Sequence, residues 1–132
     1  MVCFVQSLLI DACGWVACRN SSINIDNEAQ RYLGKPQWIV LDVVLEELEL
    51  LQKEKTISKS TMLLDLLKDK ATIVDTSNME GSHTDDLLIE SAIQHNSTLL
   101  TVDVELKRRA YQLNIPILEV RKGHRLHLVD SV

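Results

Sequence analysis

Short apolar runs and amphipathic runs alternate along this chain of 132 residues. Five runs are apolar with little alternation, which is typical of strands buried on both faces of a sheet. They cover residues 3–10, 37–41, 71–74, 98–102 and 115–120. Helical spacing marks intervening segments at 26–33, 42–55, 58–68, after Thr84 as an N-cap and after Asp103, and 121–129 suits a short edge strand. Strands followed by helices predict an α/β three-layer sandwich, with a mainly parallel sheet flanked by helices, in one domain spanning 1–132.

Acidic residues recur where these strands end or where helices begin. Asp11 and Asp103 follow apolar strands, and Asp85 and Asp86 open a helix. The carboxyl ends of parallel strands share one edge of the sheet with the N-termini of the helices that follow, so we expect these acids to converge there. Each acid also has a structural interpretation, because helix N-termini favour Asp as a cap or through the helix dipole.

Glu47 requires a different explanation, because its helical position places it in the apolar arc between Val43 and Leu51. An acid in such an arc is costly unless it is paired or liganded. It is therefore either part of a site or an edge-of-core residue that pairs with a basic side chain. Asp85 is predicted to point inward on its helix, whereas Asp86 is turned toward the edge of that face.

Converging carboxylates predict a cation. Two carboxylates about 4 Å apart repel by roughly 4 kcal/mol at an effective dielectric constant of about 20. Oxygen ligands without His or Cys favour Mg²⁺ or Mn²⁺, which can direct water at a phosphodiester. The hypothesis is a metal-dependent nuclease. A phosphoacceptor or nucleotide-binding α/β domain is the rival, but it does not require Glu47, and the four glycines form no phosphate-binding loop.

Charge is unevenly distributed along the chain. The net charge is -5, yet residues 104–132 carry 6 basic and 3 acidic side chains. The basic side chains could form a solvated face, but their position directly after Asp103 favours contacts with RNA phosphates. They are Lys107, Arg108, Arg109, Arg121, Lys122 and Arg125.

Cysteine content and hydropathy constrain the environment of the protein. Three cysteines without a CxxC pair predict reduced thiols rather than a disulfide framework or a zinc ribbon. No apolar run is long enough for a membrane span, and the N-terminal run lacks the features of a signal peptide. We expect a cytoplasmic protein that does not contact a membrane.

Four segments together resemble the PIN domain (PilT N-terminus) ribonuclease family. They are LLIDAC, VVLEELELL, HTDDLLIESA and LLTVDVELKRR. The stretch 81–125 is especially similar to stand-alone archaeal PIN proteins and to the PIN nuclease of the eukaryotic small-subunit processome. The resemblance implies an acidic pocket that binds Mg²⁺ or Mn²⁺ and cleaves single-stranded RNA, in rRNA processing or as a VapC-type toxin. It also implies a homodimer, and an antitoxin or a ribosome-assembly partner.

Carried over by position, the resemblance makes four acids catalytic: Asp11, Glu47, Asp85 and Asp103. Asp11, Asp85 and Asp103 are the expected metal ligands, with Asp86 as a further candidate, and Thr101 is a supporting hydroxyl. Cys13 departs from the family, which commonly has Asn or Ser two residues after the first Asp. Because a thiol is a poor hydrogen-bonding group, the alternative is a non-cleaving PIN fold that serves as an RNA-binding or ribosome-assembly scaffold.

Overall fold

The fold is an α/β sandwich, seen here in a computed structural model that describes residues 6–54, 61–81 and 83–130. The strands in this part of the chain are β1 (Ser7–Ile10), β2 (Gln37–Leu41), β3 (Thr72–Val74), β4 (Ser97–Leu100), β5 (Ile117–Arg121) and β6 (Arg125–Val129). The helices are α1 (Ala12–Asn20), α2 (Ile25–Leu33), α3 (Asp42–Lys53), α4 (Thr61–Lys70), α5 (Thr84–His95) and α6 (Val104–Gln112). None of the described helices is long and apolar enough to cross a membrane.

The six strands of the described residues form one sheet with the order β3-β2-β1-β4-β5-β6. The first five strands are parallel, and β6 returns antiparallel to β5. The predicted α/β class with a mainly parallel sheet is confirmed. The parallel direction places the ends of β1 and β4, and therefore Asp11 and Asp103, at one edge.

The two central strands form the middle of the core. All side chains of β1 and β4 are buried, and Leu8, Leu9, Ile10, Leu99 and Leu100 are fully buried. Strands covered by helices on both faces have to be apolar throughout, which is why their sequences do not alternate. This packing holds the carboxyl ends of β1 and β4 rigidly side by side.

Some boundaries differ from those that the sequence predicts. Helix α5 begins at Thr84 itself, and His83 occupies the cap position without a side-chain hydrogen bond. Strand β4 ends at Leu100, so Thr101 connects it to α6. The sequence indicated no helix before the polar loop at 20–24, where α1 lies. The predicted start of β1 at 3–6 lies outside the described residues except for residue 6. The predicted start of the helix at 58–60 lies wholly outside them.

Glu47 is exposed, so the prediction that it lies within the buried arc of α3 is wrong. The buried residues of this helix are Val44, Leu45 and Leu48, which displace the centre of the apolar face away from Glu47. At 3.6 residues per turn, Glu47 lies about 60° around the helix from Val44, on the side away from Leu45 and Leu48. Its position at the margin of the buried face means that burial alone does not demand a ligand.

Cys13 and Cys18 are free thiols, as the cysteine spacing predicts, and Cys3 lies outside the described residues. Cys18 is buried, and its burial raises the pKa of the thiol to about 12. Cys13 is only half-buried and lies at the carboxyl edge of the sheet, beside Asp11.

Candidate active site

Asp11 is built into the end of the central strand. Its backbone N–H donates to the carbonyl of Leu100 at 3.0 Å, and its side chain caps α1 by accepting from the N–H of Ala12 at 2.8 Å. Only 7% of the residue is exposed. Gly14 allows α1 to lie close to the end of β4, because a Cβ on this residue would lie 2.5 Å from the carbonyl oxygen of Leu100. Gly14 was not selected from the sequence, although a small residue shortly after a strand-end Asp is a usable signal.

Two side chains donate to the second carboxylate oxygen of Asp11. The hydroxyl of Thr101 donates to Asp11 Oδ2 at 2.8 Å, and Cys13 Sγ donates to the same oxygen at 3.0 Å. Cys13 Sγ also lies 3.2 Å from Thr101 Oγ1, which in turn accepts from the N–H of Asp103 at 3.2 Å. The Thr101 proton is used on Asp11, so the thiol proton is the second donor to that oxygen. Thr101 and Cys13 therefore orient Asp11.

Cys13 is held as a neutral thiol in this arrangement. Burial raises the pKa of Cys13, and its hydrogen bond to the negatively charged Asp11 raises it further. A protonated thiol can donate to a carboxylate, whereas a thiolate would repel it. The departure from the family's Asn or Ser thus still supplies one donor to Asp11.

Asp103 caps α6 and has one oxygen left for a ligand. Its Oδ1 accepts from the N–H of Leu106 at 3.1 Å, and its side chain is otherwise exposed at the strand edge. The capping interpretation of Asp103 is correct as far as it goes. A cap engages one carboxylate oxygen and does not prevent the other from binding a cation.

The candidate acids lie close enough to affect one another's charge. The pKa of Asp85 is raised, first by partial burial and then by the charges of Asp103 and Asp11. The pKa of Glu47 is also raised, first by partial desolvation and then by Asp11 and Asp85, even though much of Glu47 is exposed. Asp11, Glu47, Asp85 and Asp103 come from four distant parts of the chain, and the structure brings them within one electrostatic field.

The charge of Asp86 also raises the pKa of Asp85, though less than those of Asp103 and Asp11, but the Asp86 side chain is paired elsewhere. Its Oδ1 accepts from Arg109 Nη2 on α6 at 2.9 Å, and about 40% of each side chain is exposed. Asp85 and Asp86 are adjacent on the first turn of α5 but point about 100° apart. The sequence predicted this divergence but not the partner of Asp86.

The donor set suits a hard divalent cation in an open site. The coupled groups are all carboxylates, the ligands that Mg²⁺ and Mn²⁺ prefer. No three His, Cys, Asp or Glu side chains in the described residues are arranged to hold a metal ion by themselves. Mg²⁺ usually keeps several waters and uses one or two carboxylates together with substrate phosphates, so coupling without a closed cage fits that ion. Carboxylates that repel one another stand apart until a cation draws them together, which is consistent with an open site.

The six basic residues predicted to bind RNA are distributed over α6 and the β5–β6 hairpin. Lys107 and Arg121 both pair with Glu119, at 3.6 and 2.8 Å, and Arg108 pairs with Glu105. Lys122 and Arg125 are exposed and form no ion pair with other described residues. Arg109 differs from the other five, because its partner lies next to the coupled acids.

A second strand-end Asp shows what a purely structural pair looks like. Asp42 follows β2 and accepts from the hydroxyl and the N–H of Thr76 at 2.7 and 3.2 Å, and from the N–H of Val43 at 2.8 Å. Asp42 and Thr76 thus repeat the pairing of Asp11 and Thr101 at the same edge. Repulsion from Asp42 does not raise the pKa of either Glu47 or Asp85. Asp42 fastens β2 to the loop after β3.

Comparisons with known proteins agree with this fold. A family model described as a PIN like domain matches residues 8–123. Among solved structures, that of the PIN domain endonuclease Utp24 superposes with a TM-score of 0.76 and is 25% identical in sequence, covering 96% of this chain and 95% of that chain. No curated protein matches the chain in a sequence search.

Proposed function

This chain belongs to the family of PIN-like domains, and on that basis we propose that it is an endoribonuclease that hydrolyses phosphodiester bonds of single-stranded RNA with Mg²⁺ or Mn²⁺. The membership supports a nuclease fold. The observation that carries the finer proposal is the repulsion at the edge where the strands end, where Asp11 and Asp85 raise the pKa of Glu47, and Asp103 and Asp11 raise that of Asp85. An all-carboxylate cluster beside basic side chains suits a cation and a phosphate together.

In the proposed mechanism, Asp11, Asp85 and Asp103 would hold the ion. When bound, the ion supplies Lewis-acid polarisation of the phosphodiester. Thr101 and Cys13 fix the direction of the Asp11 carboxylate through the hydrogen bonds at 2.8 and 3.0 Å. Glu47 either joins the ligands or takes the proton of the attacking water, and its raised pKa makes it a stronger base than an ordinary Glu.

Mn²⁺-dependent cleavage of a single-stranded RNA tests this proposal with the wild type, Asp11→Asn and Asp42→Asn. We expect Asp11→Asn to lower the rate by about 100-fold or more, because loss of one charged ligand removes stabilisation of roughly 3 kcal/mol or more from the transition state. Asp42→Asn removes a strand-end carboxylate outside the coupled set, and it should cleave at close to the wild-type rate. Cleavage that is independent of metal, or equal in the wild type and Asp11→Asn, would contradict the proposal.

A second candidate is a non-cleaving PIN fold that acts as an RNA-binding or ribosome-assembly scaffold. It is supported by a thiol, a weak hydrogen-bonding group, at Cys13 beside the first acid. The same experiment separates the two. If the protein is a scaffold, the wild type and Asp11→Asn should bind the RNA with equal affinity, and neither should cleave it.

The biological setting and the partners are proposed from the family resemblance. The settings are rRNA processing and a VapC-type toxin, both in the cytoplasm, with RNA as the substrate. An antitoxin partner would accompany the toxin, and a ribosome-assembly partner would accompany the processing enzyme. A homodimer is proposed on the same basis, and sedimentation equilibrium of the purified chain tests it.

A further inference from the structure

Arg109 is the basic side chain most closely joined to the acidic cluster. Its Nη2 lies 2.9 Å from Asp86 Oδ1, and its positive charge also acts on Asp85, lowering the pKa of that carboxyl against the repulsion of the other acids. No other basic residue of the described chain contributes to the shifted pKa of Asp85, and none contributes to that of Glu47. Arg109 thus stands where the cation site and the RNA phosphate would meet.

An arginine at this point needs an explanation. Its ion pair with Asp86 joins two side chains that are about 40% exposed, and such surface pairs contribute little to stability. The positive charge of Arg109 also does not favour the binding of a divalent metal ion nearby. A phosphodiester, however, is repelled by four carboxylates, and a guanidinium offers planar donors that suit phosphate oxygens. The contact with Asp86 uses Nη2, so the guanidinium has further donors available.

We propose that Arg109 binds the non-bridging oxygens of the RNA phosphate that enters the acidic site, and that Asp86 positions Arg109 instead of serving as a metal ligand. This inference rests on the proposed nuclease function, because it specifies how that site receives its substrate. It divides the two adjacent acids of α5: Asp85 belongs to the cation site and Asp86 to the phosphate site.

The packing around Asp86 supports a positioning role. A Cβ at Gly81 would lie 2.9 Å from the Cβ of Asp86 and 3.4 Å from the backbone nitrogen of Leu87. The loop before α5 therefore lies against the base of the Asp86 side chain and restricts its directions. Asp86 is held toward α6, where Arg109 meets it, while Asp85 is coupled to Asp103 and Asp11.

The first measurement compares Arg109 with a matched arginine on the same helix. Arg108 is also paired with an acid, Glu105, so Arg108→Gln and Arg109→Gln each remove one charge and one ion pair. Fluorescence anisotropy with a labelled single-stranded RNA, in the Asp11→Asn background with Mg²⁺, gives the affinities. We expect Arg109→Gln to weaken binding about tenfold and Arg108→Gln about twofold, because a bidentate phosphate contact exceeds a diffuse charge effect. Equal losses, or no RNA binding by the parent protein, would overturn the proposal.

The second measurement assigns Asp86. Titration of Mn²⁺ by electron paramagnetic resonance should give Asp86→Asn an affinity within about twofold of the wild type, whereas Asp85→Asn should bind at least tenfold more weakly. In cleavage assays, Asp86→Asn should lower kcat while Mn²⁺ affinity is retained. An equal loss of Mn²⁺ affinity in the two variants would show that Asp86 is a ligand and would refute its positioning role.

The outcomes also separate this inference from the proposed function. If the wild type does not cleave RNA but Arg109→Gln still binds RNA more weakly than Arg108→Gln, the nuclease proposal fails and the phosphate-binding role stands. If the wild type cleaves and the two arginine variants behave alike, only the inference fails. Should Arg109→Gln melt at a lower temperature than the wild type, Arg109→Lys keeps the charge without the planar fork, and we expect it to bind with an intermediate affinity.

Discussion

The thiol of Cys13 touches two groups of the candidate site, a carboxylate oxygen of Asp11 at 3.0 Å and the hydroxyl of Thr101 at 3.2 Å. We expect Cys13→Ser to keep Mn²⁺ affinity and cleavage close to the wild type, because a hydroxyl replaces one donor with another. Cys13→Ala should weaken both about 3- to 30-fold, which corresponds to roughly 0.6–2 kcal/mol for a hydrogen bond to a carboxylate. Calorimetric Mn²⁺ binding and single-turnover cleavage measure the two effects.

Equal behaviour of Cys13→Ser and Cys13→Ala would show that the donor does not matter and that Cys13 only fills space. A thermal melt of each variant controls for loss of packing, since Cys13 is half-buried. The comparison also bears on the scaffold alternative. In a non-cleaving scaffold, Asp11 would not need to be oriented, and the two donors on its oxygen, Thr101 and Cys13, would have no catalytic role.

Repulsion among the acids makes stability depend on pH in a defined direction. The pKa values of Glu47 and Asp85 are raised in the folded state above ordinary values of 4.5 and 3.8, by partial burial first and then by neighbouring charges. A raised folded-state pKa stabilises the fold below the ordinary pKa, and that stabilisation is lost as the pH rises through the folded-state pKa. At neutral pH without metal, the carboxylates therefore destabilise the protein.

We expect Glu47→Gln and Asp85→Asn to raise Tm by about 1–4 °C at pH 7 in a chelator, an amount reduced by solvent screening of these partly exposed groups. The gain should vanish near pH 3.5, where the wild-type carboxyls are protonated. Differential scanning calorimetry at the two pH values measures it, and Mn²⁺ should raise Tm of the wild type at pH 7. A gain of equal size at both pH values would indicate packing instead of charge.

At the residue scale, the sequence predicted the strand-end acids, and the family resemblance added Thr101 as a supporting hydroxyl, but the partner of Asp86 was not predicted. Asp11 and Asp103 followed from their position after apolar runs. Glu47 was selected on the wrong ground, since it lies at the margin of the buried face and is exposed. The contact of Asp86 with Arg109 could not be predicted, because it depends on how two helices pack across 23 positions of sequence.

At the scale of elements, the contact between α1 and the end of β4 decides whether Asp11 and Thr101 meet. We expect Gly14→Ala to destabilise the fold by about 1–3 kcal/mol and to weaken Mn²⁺ binding, because the new Cβ would lie 2.5 Å from the backbone oxygen of Leu100. That backbone cannot yield as a flexible side chain does, so α1 has to shift and carry Asp11 with it. Urea unfolding and Mn²⁺ titration measure the two losses.

Gly34→Ala is the matched control for this prediction. Gly34 ends α2 with a φ of 68°, and nothing lies within 4 Å of the Cβ that it would gain. It should lose about 1 kcal/mol through backbone strain while keeping Mn²⁺ affinity. If Gly14→Ala keeps the wild-type affinity for Mn²⁺, or if Gly34→Ala loses it equally, α1 does not position the site.

Elements with a clear apolar pattern were predictable, whereas α1 was not. Strand β2 has the predicted bounds, and α3 begins where the sequence predicts. The sequence of α1 indicates a helix only weakly, because Gly is a poor helix former. The buried residues of this helix are Ala12, Gly14, Trp15 and Cys18. Its helical state depends on packing against β4 and on the cap supplied by Asp11, which are tertiary contacts.

At the scale of the whole molecule, a net charge of -5 conceals a basic projection next to the acidic site. Leu100 of β4 pairs with Leu118 of β5, so β5 continues three residues past the end of β4. At about 3.3 Å per residue, the tip of the β5–β6 hairpin projects roughly 10 Å beyond it, on the side where Asp103 lies. His124 contacts the carbonyl of Ser21 at the end of α1, which fastens this tip to the domain.

The salt dependence of RNA binding tests the role of this hairpin. Lys122 and Arg125 are exposed and form no ion pair with other described residues, so both are available for phosphates. For single-stranded RNA, each neutralised phosphate contributes about 0.7 to the slope of log affinity against log salt concentration. We expect the double variant Lys122→Ala and Arg125→Ala to reduce that slope by about 1.4. Removing Lys35 and Lys53, two exposed lysines after α2 and at the end of α3, takes away the same charge elsewhere and should leave the slope unchanged, whereas an equal reduction would mean that RNA responds only to net charge.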